Sequence, residues 1–377
     1  MNLLEHTAKA LLRRAGIMTP PGAVATTPDR AAAIASEFRS VMVKAQVPAG
    51  GRGRSGGVLG ADTAAEAREG AVSLLGKQLG PHPVGELLVE ERLSIEQELY
   101  AAVFNHAPSR STRIVFSACG GVEIEDTARS NPTMVHSLDI DPRSVVDIDT
   151  ASRLLERAGL EGVIEEVARV LVRMHSLHRD HDAELIEINP LAVTRGGRVV
   201  ALDCKFSVDP AAAARQTGIA SMAADEPLTP LERSAREAGL KLVELDGDIG
   251  VLANGAGLTM TTMDVIAHMG GRPANFLEIG GDAYTKARPA LALVLQHPGV
   301  RSLVVNFCGA FARTDVMVDG LTQAWLELRP EVPAFFTVHG TGSDRARRLL
   351  AERLATEPYP TMDEAVEAAL AAGRGHA

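Results

Sequence analysis

The sequence predicts an α/β protein of two domains, a compact α+β module followed by a doubly wound, mainly parallel sheet. A chain of 377 residues is long for one hydrophobic core. Between about residues 207 and 240 it is rich in alanine, aspartate and proline, a composition typical of a linker. Beyond this linker, short apolar runs alternate with helical segments, which predicts parallel strands joined by right-handed crossovers.

The first domain opens with a helix over residues 3–15, because leucine and alanine recur there at helical spacing and Gly16 follows. A second helix over residues 29–38 precedes a strand over residues 41–47. Later stretches predict helices over residues 63–78 and 160–178, and strands over residues 86–91, 96–104, 111–118 and 122–126.

A glycine-rich loop over residues 49–57 follows the strand that ends at residue 47. Its backbone can approach a polyphosphate closely, and Lys44, Arg52 and Arg54 supply positive charge nearby. The loop lacks the Gly-Lys-Ser/Thr sequence of a Walker A motif. The pattern favours phosphate binding, and a flexible surface loop is the alternative.

A β-hairpin is predicted just before the linker. Two β-branched runs flank a turn centred on Gly196, where glycine permits a tight reversal. Antiparallel pairing about this turn sets Asn189 opposite Asp203 and Glu187 opposite Lys205. Because side chains alternate along a strand, these four lie on one side of the sheet.

The oxygen atoms of Asn189 and Asp203 suit Mg²⁺, which prefers oxygen ligands and keeps water and substrate phosphates in its other positions. The alternative is the solvated polar face of an ordinary antiparallel sheet. The hairpin by itself leaves both interpretations open.

Two strand carboxylates, Glu90 and Glu98, are further candidates, since each can accept a hydrogen bond from a nucleotide base or ribose. Taken singly, each is more often a solvated strand residue. Three histidines, His175, His178 and His181, follow one another at three-residue spacing near a helix end. They could gather a metal, but solvated histidines favoured by the helix dipole are the preferred interpretation.

The second domain places glycine-bearing loops at the carboxyl edge of its sheet, at residues 254–257, 280–282 and 306–309. Each loop is expected to open a helix, so an anion or carboxylate site is predicted there. Its strands are predicted over residues 249–253, 274–279, 302–307 and 332–338, and its helices over residues 260–269, 285–296, 315–328 and 343–354.

Composition excludes several classes of function. The net charge of −10 argues against a protein that coats nucleic acid. Three widely spaced cysteines indicate neither a disulfide framework nor a CxxC metal site. No stretch approaches about 18 uninterrupted apolar residues, and the charged N-terminus lacks a signal sequence, so we expect a cytoplasmic protein.

Motifs along nearly the whole chain resemble the β subunits of succinate–CoA ligases, also called succinyl-CoA synthetases. They occur in the same order as in that family: Val43-Lys-Ala-Gln-Val, Gly50-Gly-Arg-Gly, Gly120-Gly-Val-Glu-Ile-Glu, Leu185-Ile-Glu-Ile-Asn-Pro-Leu, Asn254-Gly-Ala-Gly-Leu and Pro273-Ala-Asn-Phe-Leu. The resemblance implies an ATP-grasp domain over residues 1–237 and a flavodoxin-like CoA-ligase domain over residues 238–377.

The resemblance also implies roles for individual residues. Nucleotide phosphates are expected to bind Lys44 and the backbone of Gly51, Arg52 and Gly53. The base and ribose are expected near Glu90 and Glu98, and Mg²⁺ at Asn189 and Asp203. In the second domain, the substrate or phosphate is expected near Asn254, Gly309 and Ala310.

The chemistry that the family implies needs a second chain. ATP phosphorylates a histidine of an α subunit, the phosphoryl group passes to a carboxylic acid, and CoA displaces phosphate from the acyl phosphate. Glu187 is expected to act catalytically by orienting the partner's histidine. The expected cofactor is Mg²⁺, with ATP as a substrate and the α subunit supplying the CoA site.

Several departures from the family pattern lie in the second domain. Ala310 stands where the family has glycine, and Thr337 and His339 stand where it has an Arg-x-Glu pair. These changes suggest that the acid is not succinate. Two alternatives remain open: a stand-alone ATP-grasp ligase that joins a carboxylate to an amine, and a regulatory paralogue without catalysis. The preference for ATP over GTP rests on weak resemblance alone.

Overall fold

The computed structural model describes residues 1–48, 50–121, 129, 131–224, 228–280 and 286–374. The chain forms two compact units, Met1–Pro227 and Leu228–Ala377. The sequence places the domain boundary later, after residue 237. The helix Pro230–Glu237 accounts for this difference, because its Leu231 and Ala235 pack into the core of the second unit.

The first unit has twelve strands and six α-helices among its described residues. The helices are α1 (Glu5–Arg14), α2 (Pro28–Ala35), α3 (Ala64–Leu74), α4 (Ile148–Arg157), α5 (Ile164–Asp180) and α6 (Thr217–Ala220). The strands are β1 (Gly22–Ala25), β2 (Val41–Ala45), β3 (Val58–Ala61), β4 (Gln78–Leu79), β5 (His82–Pro83), β6 (Leu87–Glu91), β7 (Ile95–His106), β8 (Ser111–Ser117), β9 (His136–Ile140), β10 (Ala183–Thr194), β11 (Val199–Ala201) and β12 (Lys205–Val208).

Two antiparallel sheets organise this unit. One has the order β1-β6-β2-β3, and the other has the order β11-β10-β7-β8-β9, with β12 also paired to β10. Helices α2 and α3 pack on the smaller sheet, and α1, α4 and α5 on the larger. The predicted strand over residues 122–126 lies outside the described residues.

Side-chain caps explain where helices α2 and α3 begin. Thr27 and Thr63 have extended backbones, and each side-chain oxygen accepts a hydrogen bond from the backbone N–H three residues later. Such caps satisfy one of the N–H groups that the first turn leaves unpaired. Both helices therefore begin directly after a threonine.

The second unit contains a parallel sheet with the order β14-β16-β17. Its strands are β13 (Leu242–Glu244), β14 (Ile249–Ala253), β15 (Asn275–Leu277), β16 (Ser302–Gly309) and β17 (Ala334–Gly340). Its helices are α7 (Pro230–Glu237), α8 (Ala256–His268), α9 (Ala287–Gln296), α10 (Thr314–Leu328), α11 (Ser343–Leu354) and α12 (Met362–Arg374).

Apolar clusters cover both faces of this parallel sheet, as the doubly wound prediction requires. On one face, Val251 and Val304 pack with Ile266 of α8 and Val366 of α12. The sequence did not predict α12 or the short strand β13, which pairs antiparallel with β15. Among the described helices of the chain, none has the length and hydrophobicity needed to cross a membrane.

Candidate functional site

The predicted hairpin register is confirmed on both sides of its centre. Near the turn, Leu191 pairs with Ala201, and further away Glu187 pairs with Lys205, so the ladder is symmetric about Gly196. The alternation is also correct, since Ile186 and Ile188 are fully buried on the opposite side of the sheet from Glu187. Glu187 also pairs with Ala102 of the neighbouring strand β7.

Asn189 and Asp203 lie at a break in this ladder rather than in a paired position. Asp203 falls between strands β11 and β12, and the Leu202 N–H donates to the carbonyl oxygen of Pro190 (3.1 Å). Because of this break, Asp203 is not part of the regular sheet, and its side chain is 37% exposed. The Oδ1 atom of Asp203 accepts hydrogen bonds from Arg52 and from the backbone of Cys204, both at 2.7 Å.

The side chain of Asn189 holds the backbone of Gly121. Its Oδ1 accepts from the Gly121 N–H at 2.7 Å, and its Nδ2 donates to the Gly121 carbonyl at 3.2 Å. Gly121 has a φ of 85°, and a Cβ atom there would overlap Oε2 of Glu98. The structure therefore brings Asn189 and Glu98 together around Gly121, which the sequence marked as part of a motif but not as a site residue.

Lys44 and Arg52 belong to a buried ionic cluster. The Lys44 ammonium contacts Glu5 at 3.0 Å and Glu90 at 2.6 Å, and Arg52 contacts Glu5 at 2.8 Å. The side chains of Lys44 and Arg52 are 9% and 8% exposed, and that of Glu90 is 3% exposed. The structure thus joins three predicted nucleotide residues, Lys44, Arg52 and Glu90, in one place.

The sequence missed two members of this cluster, Glu5 and Lys9 of helix α1. They form an ion pair of 2.7 Å, and Lys9 also reaches Glu90 at 2.6 Å. A signal for them was present. Glu5 and Lys9 are four residues apart, and Ala8 and Leu12 place the same helix face in the core. Oppositely charged side chains within an apolar stripe indicate a buried ion pair.

Opposing effects determine how these buried groups titrate. Burial would raise the pKa of the Glu5 carboxyl, but the charges of Lys44, Lys9 and Arg52 outweigh it and hold that pKa well below its usual value. Burial would lower the pKa of Lys44, whereas Glu5, Glu90 and Asp203 raise it above its usual value. Both side chains are therefore charged throughout the physiological pH range.

Residues 50–57 of the glycine-rich loop connect β2 to β3 through hydrogen-bonded turns. The N–H of Gly57 donates to the Arg52 carbonyl at 2.8 Å, and the N–H of Gly56 donates to the Gly53 carbonyl at 3.2 Å. Gly51 has a φ of 71°, and Gly51 and Gly53 have open space where a side chain would be. An exposed backbone next to a buried arginine leaves room for a ligand. Ala49 lies outside the described residues.

The three thiols have different environments. Cys119 and Cys308 are exposed, and Cys204 is buried. Burial raises the pKa of the Cys204 thiol well above its ordinary value, and the nearby carboxylates, Asp203 foremost, add to this effect. Cys204 is therefore a protonated packing residue rather than a nucleophile.

In the second unit, Asn254 and Gly309 lie at the carboxyl edge of the parallel sheet. The Asn254 amide donates to the Cys308 carbonyl at 2.9 Å, and the Cys308 N–H donates to Asn254 Oδ1 at 2.7 Å. Asn254 therefore holds the end of strand β16. A side chain at Gly309 would overlap the hydroxyl of Thr314, so this position accepts only glycine.

Ala310 is exposed in the loop before α10, which begins at Thr314. The expectation that the loop over residues 306–309 opens a helix directly is wrong, because the chain continues as a loop from Ala310 through Arg313. Asp315 occupies the first turn, where Arg313 donates to both of its oxygens at 3.0 Å. The first turn of this helix therefore holds a carboxylate of the chain itself, at the end where the helix dipole favours negative charge. Residues 281 and 282 of the second predicted loop lie outside the described residues.

Two of the three predicted histidines at the end of α5 are buried. His175 and His178 are 1% and 5% exposed, and none of their ring nitrogens has a hydrogen-bond partner among the described residues. Burial, with the neighbouring His175, lowers the pKa of His178 to about 4. The interpretation as solvated histidines is wrong for His175 and His178, because the face of α5 that carries them packs on the larger sheet, whereas His181 is half-buried directly after the helix. The described residues contain no group of three or more potential metal-binding side chains.

Comparisons with known families cover both units. Residues 2–193 match the family described as an ATP-grasp domain, and residues 252–374 match the family described as CoA-ligase. The GDP-forming succinate–CoA ligase subunit beta of Thermus thermophilus is 40% identical over 373 residues, 98% of each chain. The ADP-forming subunit beta of Rubrobacter xylanophilus is 41% identical over 355 residues, 93% of each chain.

A solved structure supports the fold independently. ATP citrate lyase from Methanothrix soehngenii, in complex with citrate and coenzyme A, superposes with a TM-score of 0.74 at 21% identity, over 98% of this chain and 99% of that one. At this identity the likeness concerns the fold alone. The curated relatives carry the assignment, because their identity extends over nearly the full length: the chain belongs to the succinate–CoA ligase β-subunit family, whose members are ligases.

Proposed function

We propose that this chain is the β subunit of an ADP-forming carboxylate–CoA ligase. The overall reaction converts ATP, an acid and CoA into acyl-CoA, ADP and phosphate. An α subunit supplies the histidine that carries the phosphoryl group and the site for CoA. The observation that carries the proposal is the convergence of Lys44, Arg52 and Asp203 beside an open glycine backbone, in a chain that matches the family throughout.

The nucleotide phosphates bind Lys44, Arg52 and the backbone of Gly51 and Gly53. This assignment is supported by the buried, permanently charged state of the two cations, which a polyphosphate needs for strong pairing in a site of low dielectric. Glu90 and Glu98 accept hydrogen bonds from the base and ribose. Glu98 is exposed and is available for such contacts, whereas Glu90 must first exchange part of its pairing with Lys44 and Lys9.

Asn189 and Asp203 hold Mg²⁺ together with the nucleotide phosphates. The donor set fits this ion, since an amide oxygen and a carboxylate oxygen lie at one break in the ladder and two protein ligands suit an ion that keeps water and phosphate ligands. When bound, Mg²⁺ neutralises charge that develops on the phosphates. With Mg²⁺ bound, Asp203 would serve as a ligand of the metal, and Arg52, which contacts Asp203 at 2.7 Å, would serve the phosphates.

Glu187 orients the histidine of the α subunit. It lies on the same side of strand β10 as Asn189, and Glu187 is half-buried, so a partner chain can reach it. A carboxylate that accepts a hydrogen bond from one imidazole nitrogen directs the other nitrogen towards the phosphoryl group and stabilises the imidazolium that forms.

In the second unit, the acid binds near Asn254, Gly309 and Ala310, and we propose an acid other than succinate. The enzyme is proposed to be cytoplasmic.

The direct test mixes the chain with a cognate α subunit, Mg²⁺ and ATP labelled in its γ-phosphate. We expect acid-labile label on the α subunit. CoA and an acid from a panel of carboxylic acids then discharge the label and yield a thioester. The Glu187→Gln variant is expected to bind the nucleotide normally but to transfer little label.

The alternatives predict different results in the same assay. A stand-alone carboxylate–amine ligase produces ADP without an α subunit. A regulatory paralogue, suggested by Ala310, Thr337 and His339, gives no labelled α subunit. A labelled α subunit without any thioester would contradict the ligase assignment while leaving the phosphoryl transfer in place.

A further inference from the structure

We propose that Glu5 and Lys9 of helix α1 are positioning residues for the nucleotide site: their buried ion pair fixes Lys44, Arg52 and Glu90 in the geometry that receives the nucleotide. This inference rests on the proposed function of those three residues. It adds two residues that do not themselves touch the nucleotide.

Glu5 connects all three cations of the cluster. Its Oε1 lies 2.7 Å from the Lys9 ammonium and 3.0 Å from the Lys44 ammonium, and its Oε2 lies 2.8 Å from Arg52. The Glu5 side chain is 1% exposed. Because its two oxygens face different cations, the carboxylate sets the spacing between Lys44 and Arg52.

Lys9 connects the opposite charges. Its ammonium donates to both oxygens of Glu90, at 2.6 and 2.9 Å, and to the Leu202 carbonyl at 2.7 Å. Lys44 donates to the same carbonyl at 2.6 Å. Leu202 directly precedes Asp203, so Lys9 ties helix α1 to the segment that carries the proposed metal ligand.

A role in stability alone does not account for this pair. Burying two charges costs several kcal/mol of desolvation per ion, and an apolar pair of similar volume is often as stable. Helix α1 is already anchored by the buried side chains of Ala8, Leu11 and Leu12. An ionic pair does what apolar packing cannot, since it keeps a counter-ion behind Lys44 and Arg52 when these turn towards phosphate.

The test compares a charge-balanced double variant with the unmodified αβ complex. Glu5→Gln with Lys9→Met removes one charge of each sign, so no uncompensated ion remains in the core. We expect the KM for Mg·ATP and the Kd for Mg·ADP to rise by about tenfold or more, which corresponds to the loss of one to two good hydrogen bonds. The KM values for acid and CoA remain within about twofold, since those sites do not depend on α1.

A matched control replaces an exposed ion pair of the same spacing, Glu165→Gln with Arg169→Met on helix α5. It should leave every kinetic constant unchanged. A merely structural role for Glu5 and Lys9 would lower the melting temperature and raise all KM values together. That result would overturn the proposal.

A second variant covers the case in which the double variant does not fold. Glu5→Asp keeps the charge but shortens its reach, and it should raise the KM for Mg·ATP severalfold at a near-native melting temperature. An unchanged nucleotide KM in a folded variant overturns this inference alone. Absence of nucleotide binding in the unmodified complex would overturn the proposed function as well.

Discussion

At the residue scale, the proposed site depends on side chains that hold backbone or other side chains rather than on isolated functional groups. Asp203 shows this most clearly. Its Oδ1 accepts a hydrogen bond from Arg52, and its backbone lies outside the strand pairing, which resumes at Lys205. Asn189 does the same for Gly121. Single substitutions of these residues should therefore show whether each one affects nucleotide binding, protein stability or both.

Replacing Asp203 by Asn tests the metal role. The substitution removes the charge but keeps the shape, so we expect the concentration of Mg²⁺ needed for half-maximal nucleotide binding to rise by about tenfold. Stability should change little, because Arg52 keeps Glu5 as a partner. Calorimetric titration of Mg²⁺ in the presence of ADP measures the effect.

The control for this prediction is Asp139→Asn, which removes the carboxylate from another Arg–Asp pair, with Arg113. That pair is partly exposed and lies on strands β8 and β9. An equal loss of Mg²⁺ affinity in both variants would argue against a specific metal role for Asp203.

Replacing Gly121 by Ala tests the contact between Glu98 and Asn189. The positive φ of Gly121 disfavours any other residue by roughly 1 kcal/mol, and the added methyl group also displaces the Glu98 carboxylate. We expect lower stability together with weaker nucleotide binding.

Gly197→Ala supplies a matched control, since Gly197 has a similar φ of 72° and no atom within 4 Å of the new methyl group. It should lose stability but bind Mg·ADP normally. Equal nucleotide affinity in both variants would show that Glu98 and Gly121 do not contribute to the site.

At the scale of elements, the register of the hairpin was predictable from the sequence, whereas the ionic partners of the first helix were not. A glycine turn between β-branched runs determines a register, so Glu187 and Lys205 could be paired from sequence. In α1 the spacing of Glu5 and Lys9 indicates an ion pair on the buried face, but the partners Glu90 and Lys44 lie far along the chain and cannot be identified from the helix itself. The burial of His175 and His178 on helix α5 was not predicted for the same reason.

Helix α5 provides the pH-dependent prediction. The pKa of His178 falls from an ordinary value of 6.5 to about 4 in the folded chain. As the pH falls, His178 is protonated in the unfolded chain near pH 6.5 but in the folded chain only near pH 4. The contribution of neutral His178 to the free energy of unfolding is therefore complete above about pH 6.5 and is lost as the pH falls towards 4. The loss is on the order of 1–3 kcal/mol.

The variant His178→Leu should flatten the dependence of the unfolding free energy on pH across this interval, as measured by denaturant titration at several pH values. His136→Leu, at a partly exposed histidine in the same unit, serves as the control. Were the two variants to follow the same pH profile as the unmodified chain, the buried histidine would not be the cause.

At the scale of the whole molecule, the strand–helix alternation after the linker predicted the second unit correctly. The observed domain boundary precedes the predicted one because helix α7 contributes Leu231 and Ala235 to the core of the second unit. The composition of the linker does not reveal this packing. Asp315 was also beyond sequence reasoning. A glycine-rich loop before a helix suggests an anion site, but only the fold shows that Asp315 in the first turn is paired with Arg313.

Each unit carries one exposed thiol, and this permits a test of the whole assembly. Cys119 lies two residues before Gly121, and Cys308 is held by Asn254. We expect Mg·ADP to slow alkylation of Cys119 severalfold and to leave Cys308 unaffected, as mass spectrometry of labelled peptides can measure. Cys204 should react only after unfolding. Equal protection of Cys119 and Cys308 would contradict nucleotide binding confined to the first unit.

The contact between Arg52 and Asp203 has a consequence for the thermodynamics of binding. On the proposed roles, Arg52 is already paired with Asp203 before the nucleotide binds, so binding replaces one ion pair by another. The binding free energy is then the difference between Arg52 paired with the phosphates and Arg52 paired with Asp203. Because Arg52 has a protein partner in the absence of nucleotide, few solvent ions are released from the protein on binding. Such an exchange responds weakly to ionic strength, because buried pairs are screened much less than exposed ones. The nucleotide affinity of this chain should therefore depend less on salt than the number of charges at the site implies.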